Sequence, residues 1–141
     1  MCARVALVPA AAVVALAAAA SISAQTATYV PFRTPSGNIA CAASDAPVAL
    51  RCDIRSGLRP TPPRRSNCPV DFGDSVGMGK RGRPYLVCHG DTVIDPRARV
   101  VRYGSSIRVL GFKCTSRTTG LTCANASGHG WFLSRERYRL F

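Results

Sequence analysis

Two histidines and a few carboxylates and hydroxyls are the side chains of this chain that could move a proton. His129 sits in "GHGWFLSRERYRLF", between Gly128 and Gly130 and just ahead of the single tryptophan, Trp131. His89 follows Cys88 in "VCHGD", two residues before Asp91. A general base needs a nucleophile or carboxylate within hydrogen-bond reach, and the partners on offer are His89, Asp91 and Ser134. One reading is therefore a small hydrolase using His129 with Asp91 or His89. The other reading makes the same stretch a turn feeding a last strand, with Gly128 and Gly130 supplying positive φ and Asn125 bonding the loop through its amide. Trp131, Phe132, Tyr138 and Phe141 then pack core and edge. His129 has no recognisable Asp/Ser or metal-ligand pattern beside it, which favours the turn. Asn125-Ala126-Ser127 also matches a glycosylation acceptor.

The cysteines say more. The first stretch, "MCARVALVPAAAVVALAAAASISAQ", has Arg4 near its start, an apolar run from Val5 to Ala20, and small residues from Ser21 to Ala24. This is the pattern of a secretory signal peptide cleaved after Ala24, with an apolar run short of the about 20 residues that span a bilayer. Cys2 leaves with it. What remains is Cys41, Cys52, Cys68, Cys88, Cys114 and Cys123, an even count that reads as three disulfides in an exported domain. No CxxC pair exists, so no metal site is expected. "CAASDAPVALRC" and "CTSRTTGLTC" each read as a hairpin with a cysteine on either arm, close enough to bridge. Local pairing thus gives Cys41–Cys52 and Cys114–Cys123, leaving Cys68–Cys88.

The charge balance is 19 basic residues against 7 acidic, a formal net of +12. Such a balance attracts an anionic polymer or an acidic protein surface in the envelope or outside the cell, and Arg64, Arg65, Arg81 and Arg83 are the candidate contacts. A GC-rich coding bias would produce the same arginine excess, and the arginines are spread along the chain. None clusters with stacking aromatics as a single-strand nucleic-acid binder requires, so no specific nucleic acid is expected. A third reading treats Thr61 to Ser66, with its prolines and Arg64 and Arg65, as an inhibitor loop offered to a trypsin-like protease.

The elements that must position these groups are short strands. "ATYVPFR" is an extended run broken by Pro31, Pro35 to Asn38 a turn, and Ile39 to Ala43 and "VALRCDI" the arms of the first hairpin. "LRPTPPRRSN" is a loop, since three prolines bar it from a central strand. Asp71 to Gly82, with four glycines, reads as a second irregular connection; it lacks phosphate-loop spacing, and no cofactor is implied. "RPYLVCHG" and "RARVVRYG" read as strands. In "SIRVLGFKCTS" the apolar parity switches near Leu110-Gly111, predicting a bulge. One short helical turn near 134–138, capped by Ser134, is the most helix the pattern allows. The expectation is an all-β protein: a small disulfide-stapled antiparallel sheet or sandwich over residues 32–141, preceded by an extension at 25–31.

The pieces "FRTPSGNIAC", "RCDI", "CPVDFGD", "VCHGDT", "RYGSSI" and "TTGLTCANASGHGWFLSRERYRLF" resemble a family of small exported bacterial proteins whose domain has no assigned function. Trp131 stands where that family usually has phenylalanine. The resemblance implies a secreted, disulfide-linked domain and brings no activity, cofactor or catalytic residue. The function expected from the residues is a binding module with a basic surface for an anionic envelope or extracellular partner.

Overall fold

Side chains alternate along the cysteine hairpins, and that alternation builds the interior. In the computed structural model, which describes residues 26–141, Ile39, Cys41 and Ala43 line one face of β2 (Ile39–Asp45), and Leu50, Cys52 and Ile54 the same face of β3 (Val48–Ile54). The expected leader and its cleavage point lie outside the described residues. Cys41 stands directly opposite Cys52, and their disulfide joins Cα atoms 4.0 Å apart. β1 (Tyr29–Arg33) pairs with the free edge of β2, and β6 (Arg99–Val100) adds to β1 in parallel. β4 (Ser75–Gly79) and β5 (Tyr85–Leu86) extend the other side, giving a six-stranded sheet in the order β5-β4-β3-β2-β1-β6.

The rest of the chain is a five-stranded antiparallel meander: β7 (Ser106–Val109), β8 (Phe112–Arg117), β9 (Gly120–Ala124), β10 (Gly130–Leu133) and β11 (Tyr138–Leu140). Its own cross-strand disulfide, Cys114–Cys123, again joins directly opposed residues, with Cα atoms 4.1 Å apart. The two sheets face each other through these clips: the sulfur of Cys123 lies within 4.8 Å of those of Cys41 and Cys52. All three sulfurs are bonded in disulfides and offer no thiolate to a metal. Around them Trp131, Phe32, Phe112, Leu50, Leu121, Leu133 and Met78 are fully buried in one cluster. The third disulfide, Cys68–Cys88, lies outside the named strands and ties the proline loop to the segment after β5, where Asp71 and His89 form an isolated bridge.

The protein is all-β, as the sequence leads one to expect, but several elements differ from it in detail. The glycine-rich stretch read as an irregular connection contains β4, an interior strand whose Val76 and Met78 are wholly buried. Its glycines face outward, and Tyr85 and Val87 rest on Gly77 so closely that a Cβ there would lie 3.1 Å and 3.0 Å from them. The parity switch at Leu110-Gly111 is not a bulge. Both residues have positive φ, 48° and 87°, and they form the two-residue turn between β7 and β8. β1 also runs through Pro31. The short Cα separation marks Cys41–Cys52 as a non-hydrogen-bonded pair, so Cys41 bonds to Phe32 on β1. The nitrogen of Pro31 therefore points away from β2, toward an edge where β6 has not yet begun. Residues 134–138 hold no helical turn; Ser134 instead closes the β10–β11 hairpin, its hydroxyl accepting from Glu136 N–H and Arg137 N–H at 3.2 and 3.0 Å. No helix among the described residues is long and apolar enough to cross a membrane.

Opening the Cys114–Cys123 clip with the double variant Cys114→Ala/Cys123→Ala should lower unfolding free energy by about 2 to 4 kcal/mol. Full reduction should abolish the cooperative melt. Circular dichroism melts with and without dithiothreitol check both, and an unchanged midpoint on reduction would contradict the role given to the clips.

Candidate functional site

Arg51 and Asp53 lie two residues apart on β3 and so project together from the outer face of the six-stranded sheet. Asp53 is 2% exposed, an expensive place for a carboxylate unless its lone pairs are filled. They are. It accepts from Arg51 Nε at 2.8 Å and Nη2 at 3.0 Å, from the hydroxyls of Ser75 at 2.6 Å and Thr92 at 2.9 Å, and from Val93 N–H at 3.0 Å. Burial pushes its pKa up, but these donors outweigh burial and hold it below the ordinary aspartate value. Arg51 continues outward, donating to Asp91 Oδ1 at 2.7 Å and to the Asp91 carbonyl at 3.0 Å. The pair thereby fastens residues 91–93 onto the sheet.

His89 belongs to the same arrangement. Its side chain is 5% exposed, with Nδ1 2.6 Å from the Asp91 carbonyl and Nε2 2.8 Å from Asp74 Oδ1. A carbonyl and a carboxylate only accept, so the ring satisfies both contacts only as an imidazolium, with both nitrogens donating. Burial works against that charge, but the bonds to Asp74 and the Asp91 carbonyl prevail and raise the pKa. A ring holding both protons against acceptors has no lone pair free for general-base work.

The structure thus brings His89 and Asp91 together, through the backbone oxygen of Asp91; the carboxylate of Asp91 goes to Arg51. His129 stands apart, in the β9–β10 turn. No side-chain hydrogen bond joins its ring to another described residue, while its N–H donates to Asn125 Oδ1 at 3.1 Å and its carbonyl accepts from Asn125 N–H at 2.8 Å. Asn125, 7% exposed, is the organiser. Its Oδ1 also accepts from the Ser127 N–H and hydroxyl, and its Nδ2 donates to the carbonyls of Gly79 at 3.1 Å and Gly82 at 2.9 Å. It therefore ties a turn of one sheet to the β4–β5 turn of the other, with both amide protons occupied. Gly128 has φ 80°, whereas Gly130 serves close approach: a Cβ there would overlap the Cys123 carbonyl.

Three turns distant in sequence meet in one cleft of about 120 Å³: Ser36 and Asn38, Thr118 and Thr119, and Ser134 to Glu136. The arginines named from the sequence are divided. Arg64 turns back on its own loop, donating to the Val70 carbonyl at 2.8 Å, and the Arg65 guanidinium lies 5.6 Å over the Phe72 ring. Arg81 and Arg83 are exposed in the β4–β5 turn. The surface that sequence reading missed is the outer face of the second sheet. There Arg108 opposes Lys113, Thr115 lies between Ser106 and Thr122, and Phe132 lies between Thr122 and Arg139. The Arg137 guanidinium lies 5.5 Å over the Phe132 ring, and that ring in turn packs so closely on Gly120 that a Cβ would come within 2.7 Å of it. None of the five strands carries an aspartate or glutamate. The signal was present as alternation: "SIRV" and "FKCTSR" put cations on the face opposite the cysteine.

Fold and clips define a class: a two-sheet β domain held by three disulfides, a construction compatible with an extracytoplasmic protein. The chain belongs to the family described as "Family of unknown function (DUF6636)", which it matches over residues 9–141. No curated protein and no solved structure matches it.

The His89 contacts should make stability depend on pH. A raised folded pKa contributes stability that is fully present below the ordinary histidine value of 6.5 and is lost as pH climbs through the folded value. Asp53, with a lowered pKa, contributes above 3.8 and loses its part in stronger acid. Thermal melts should therefore show a higher midpoint at pH 5.5 than at pH 8.5, and His89→Gln should flatten that difference; an equal slope in the variant would refute it. Asn125→Ala, which strands several part-buried donors and carbonyls, should cost about 2 to 4 kcal/mol in denaturant unfolding.

Proposed function

We propose that this domain is a binding module that meets an anionic polymer through the outer face of its five-stranded sheet. The observation that carries the reading is the segregation of charge. All six aspartates fall between residues 45 and 95, and Glu136, in the β10–β11 turn, is the one acid beyond them. Asp53 and Asp91 are held by Arg51, Asp74 by His89, and Asp95 faces Arg97. On the second sheet Arg108, Lys113 and Arg139 have no carboxylate beside them on any strand, so their field extends into solvent. Antiparallel neighbours stand about 4.8 Å apart, which makes the face a grid of cations and hydroxyls that also carries the half-buried ring of Phe132. A repeating anion can engage several of these at once. The β4–β5 turn with Arg81 and Arg83 is bonded to the β9–β10 turn, through Gly82 N–H to the Ser127 hydroxyl at 3.1 Å, and lengthens the grid at one end. The secreted location expected from the leader and the clips would put such a polymer within reach.

The test compares two variants with the same charge loss. Arg108→Gln/Lys113→Gln should elute from immobilised heparin, and from a polyglutamate column, at clearly lower salt than the parent protein, because screening and counterion release govern such contacts. Arg64→Gln/Arg65→Gln should elute near the parent position. Equal shifts for both pairs would mean that net charge alone acts and would overturn the assignment to this face.

A further inference from the structure

A second cationic feature lies on the other sheet, and it does not depend on the polymer-binding face. On the outer side of the six-stranded sheet, a cavity of about 280 Å³ opens beneath the turn at Pro35 to Asn38, lined by Arg33, Arg55, Gly37, Ala40, Ile94 and Pro96 among others. We infer that it is a binding site for the carboxylate or phosphate group of a small molecule.

Four features point the same way. The Nε of Arg33 is buried and has no hydrogen-bond partner in the protein. Buried donors are almost always satisfied, so an unpartnered one at a cavity wall marks a guanidinium for which the protein itself supplies no acceptor. Arg55 also lines the cavity: its Nε donates to the Gly37 carbonyl at 3.0 Å, which leaves its terminal nitrogens without a partner among the described residues. Neither arginine forms an ion pair among the described residues, and Asp95, the one carboxylate of the cavity wall, accepts the Arg97 N–H at 2.8 Å. Lastly, Ala40, Ile94 and Pro96 give the wall an apolar part beside Ser36, so the cavity takes a compact organic body as well as its charge.

The geometry of the turn supports this use. Gly37 adopts φ 71°, and a Cβ on it would lie 3.8 Å from Arg33 Nη1, so the turn brings its backbone down beside one guanidinium while its carbonyl holds the other. Two planar guanidinium forks on one small cavity match the paired oxygens of a carboxylate or a phosphate. Residues 94–96 form the third wall, and the Asp53 bonds to Thr92 and Val93 hold the segment leading into it. The polar node on β3 is thus a positioning device for this cavity.

The experiment is a titration of the full oxidised domain with inorganic phosphate and, separately, with glutarate, in 150 mM chloride, followed by the backbone amide shifts of Gly37, Asn38 and Ile94. Saturable shifts at these residues with either anion support the site, and the tighter of the two identifies the group it takes. Arg55→Gln should weaken that binding at least tenfold, and Arg33→Met likewise; should the Arg33 variant fail to fold, the exposed Arg55 alone decides. Arg108→Gln/Lys113→Gln should bind as the parent does. No saturable shift with either anion, affinity retained in Arg55→Gln, or an equal loss in Arg108→Gln/Lys113→Gln would overturn the proposal. The last outcome would leave the polymer-binding face standing.

Discussion

Two cross-strand disulfides stacked between two sheets are the constraint on which the rest of the structure depends. Each clip joins residues that stand directly opposite on neighbouring strands, so each fixes a register as well as a distance. Register decides everything about a strand with one buried face, because a slip by one residue moves every side chain to the other side. With Cys41 set against Cys52, Leu50 and Ile54 must point inward and Arg51 and Asp53 outward. With Cys114 set against Cys123, Phe112 and Leu121 go inward, and Lys113 and Thr122 go to solvent. The contact between the sulfurs of the two clips then joins the sheets at the centre of the core. The polar node, the cationic grid and the arginine cavity all take their positions from these two pairings.

Much of this can be read from the chain, and the parts that cannot share a physical cause. The clips, the first hairpin, the β8–β9 hairpin and the strand after it follow from local spacing: a cysteine on each arm of a short turn, with alternation on either side. β4 is invisible to such reading because in its sequence, SVGMG, two of the three outward positions are glycines. The glycine there makes sense only once Tyr85 and Val87, from a later strand and its extension, are known to lie on it. Leu110-Gly111 misleads for a related reason. A parity switch looks the same whether the chain bulges or reverses, and leucine in a left-handed turn is uncommon enough to point toward the bulge.

The candidate sites show the same division. His129 attracts notice by its flanking glycines, yet those glycines answer to backbone packing, and Asn125 rather than the histidine does the bonding. Asp53, a buried carboxylate with five bonds, draws its donors from positions 2 to 40 residues away. No local window contains that set. The one clue was "RCDI" itself, where an arginine and an aspartate share the outer face of an otherwise apolar strand. The cationic grid was legible in principle, since "SIRV" and "FKCTSR" alternate cleanly, but its significance needs the register that aligns the two strands and the knowledge that every aspartate lies elsewhere.

The clips also account for how a domain of this size can keep an arginine nitrogen buried without a partner. Leaving a buried donor unpaired costs about 1 to 3 kcal/mol, a large share of the about 5 to 15 kcal/mol that separates folded from unfolded states. A short chain with a modest core would shed such a group, through loss of the residue or by unfolding locally around it. Disulfides shift the balance by restricting the unfolded chain, at about 2 to 4 kcal/mol each, and they do so without asking anything of the outer faces of the sheets. Those faces are then free to carry unmatched cations: in the grid, where water solvates them, and in the Arg33–Arg55 cavity, where one nitrogen is shielded from it. Stability drawn from the interior clips is what lets those unmatched cations stand on the surface.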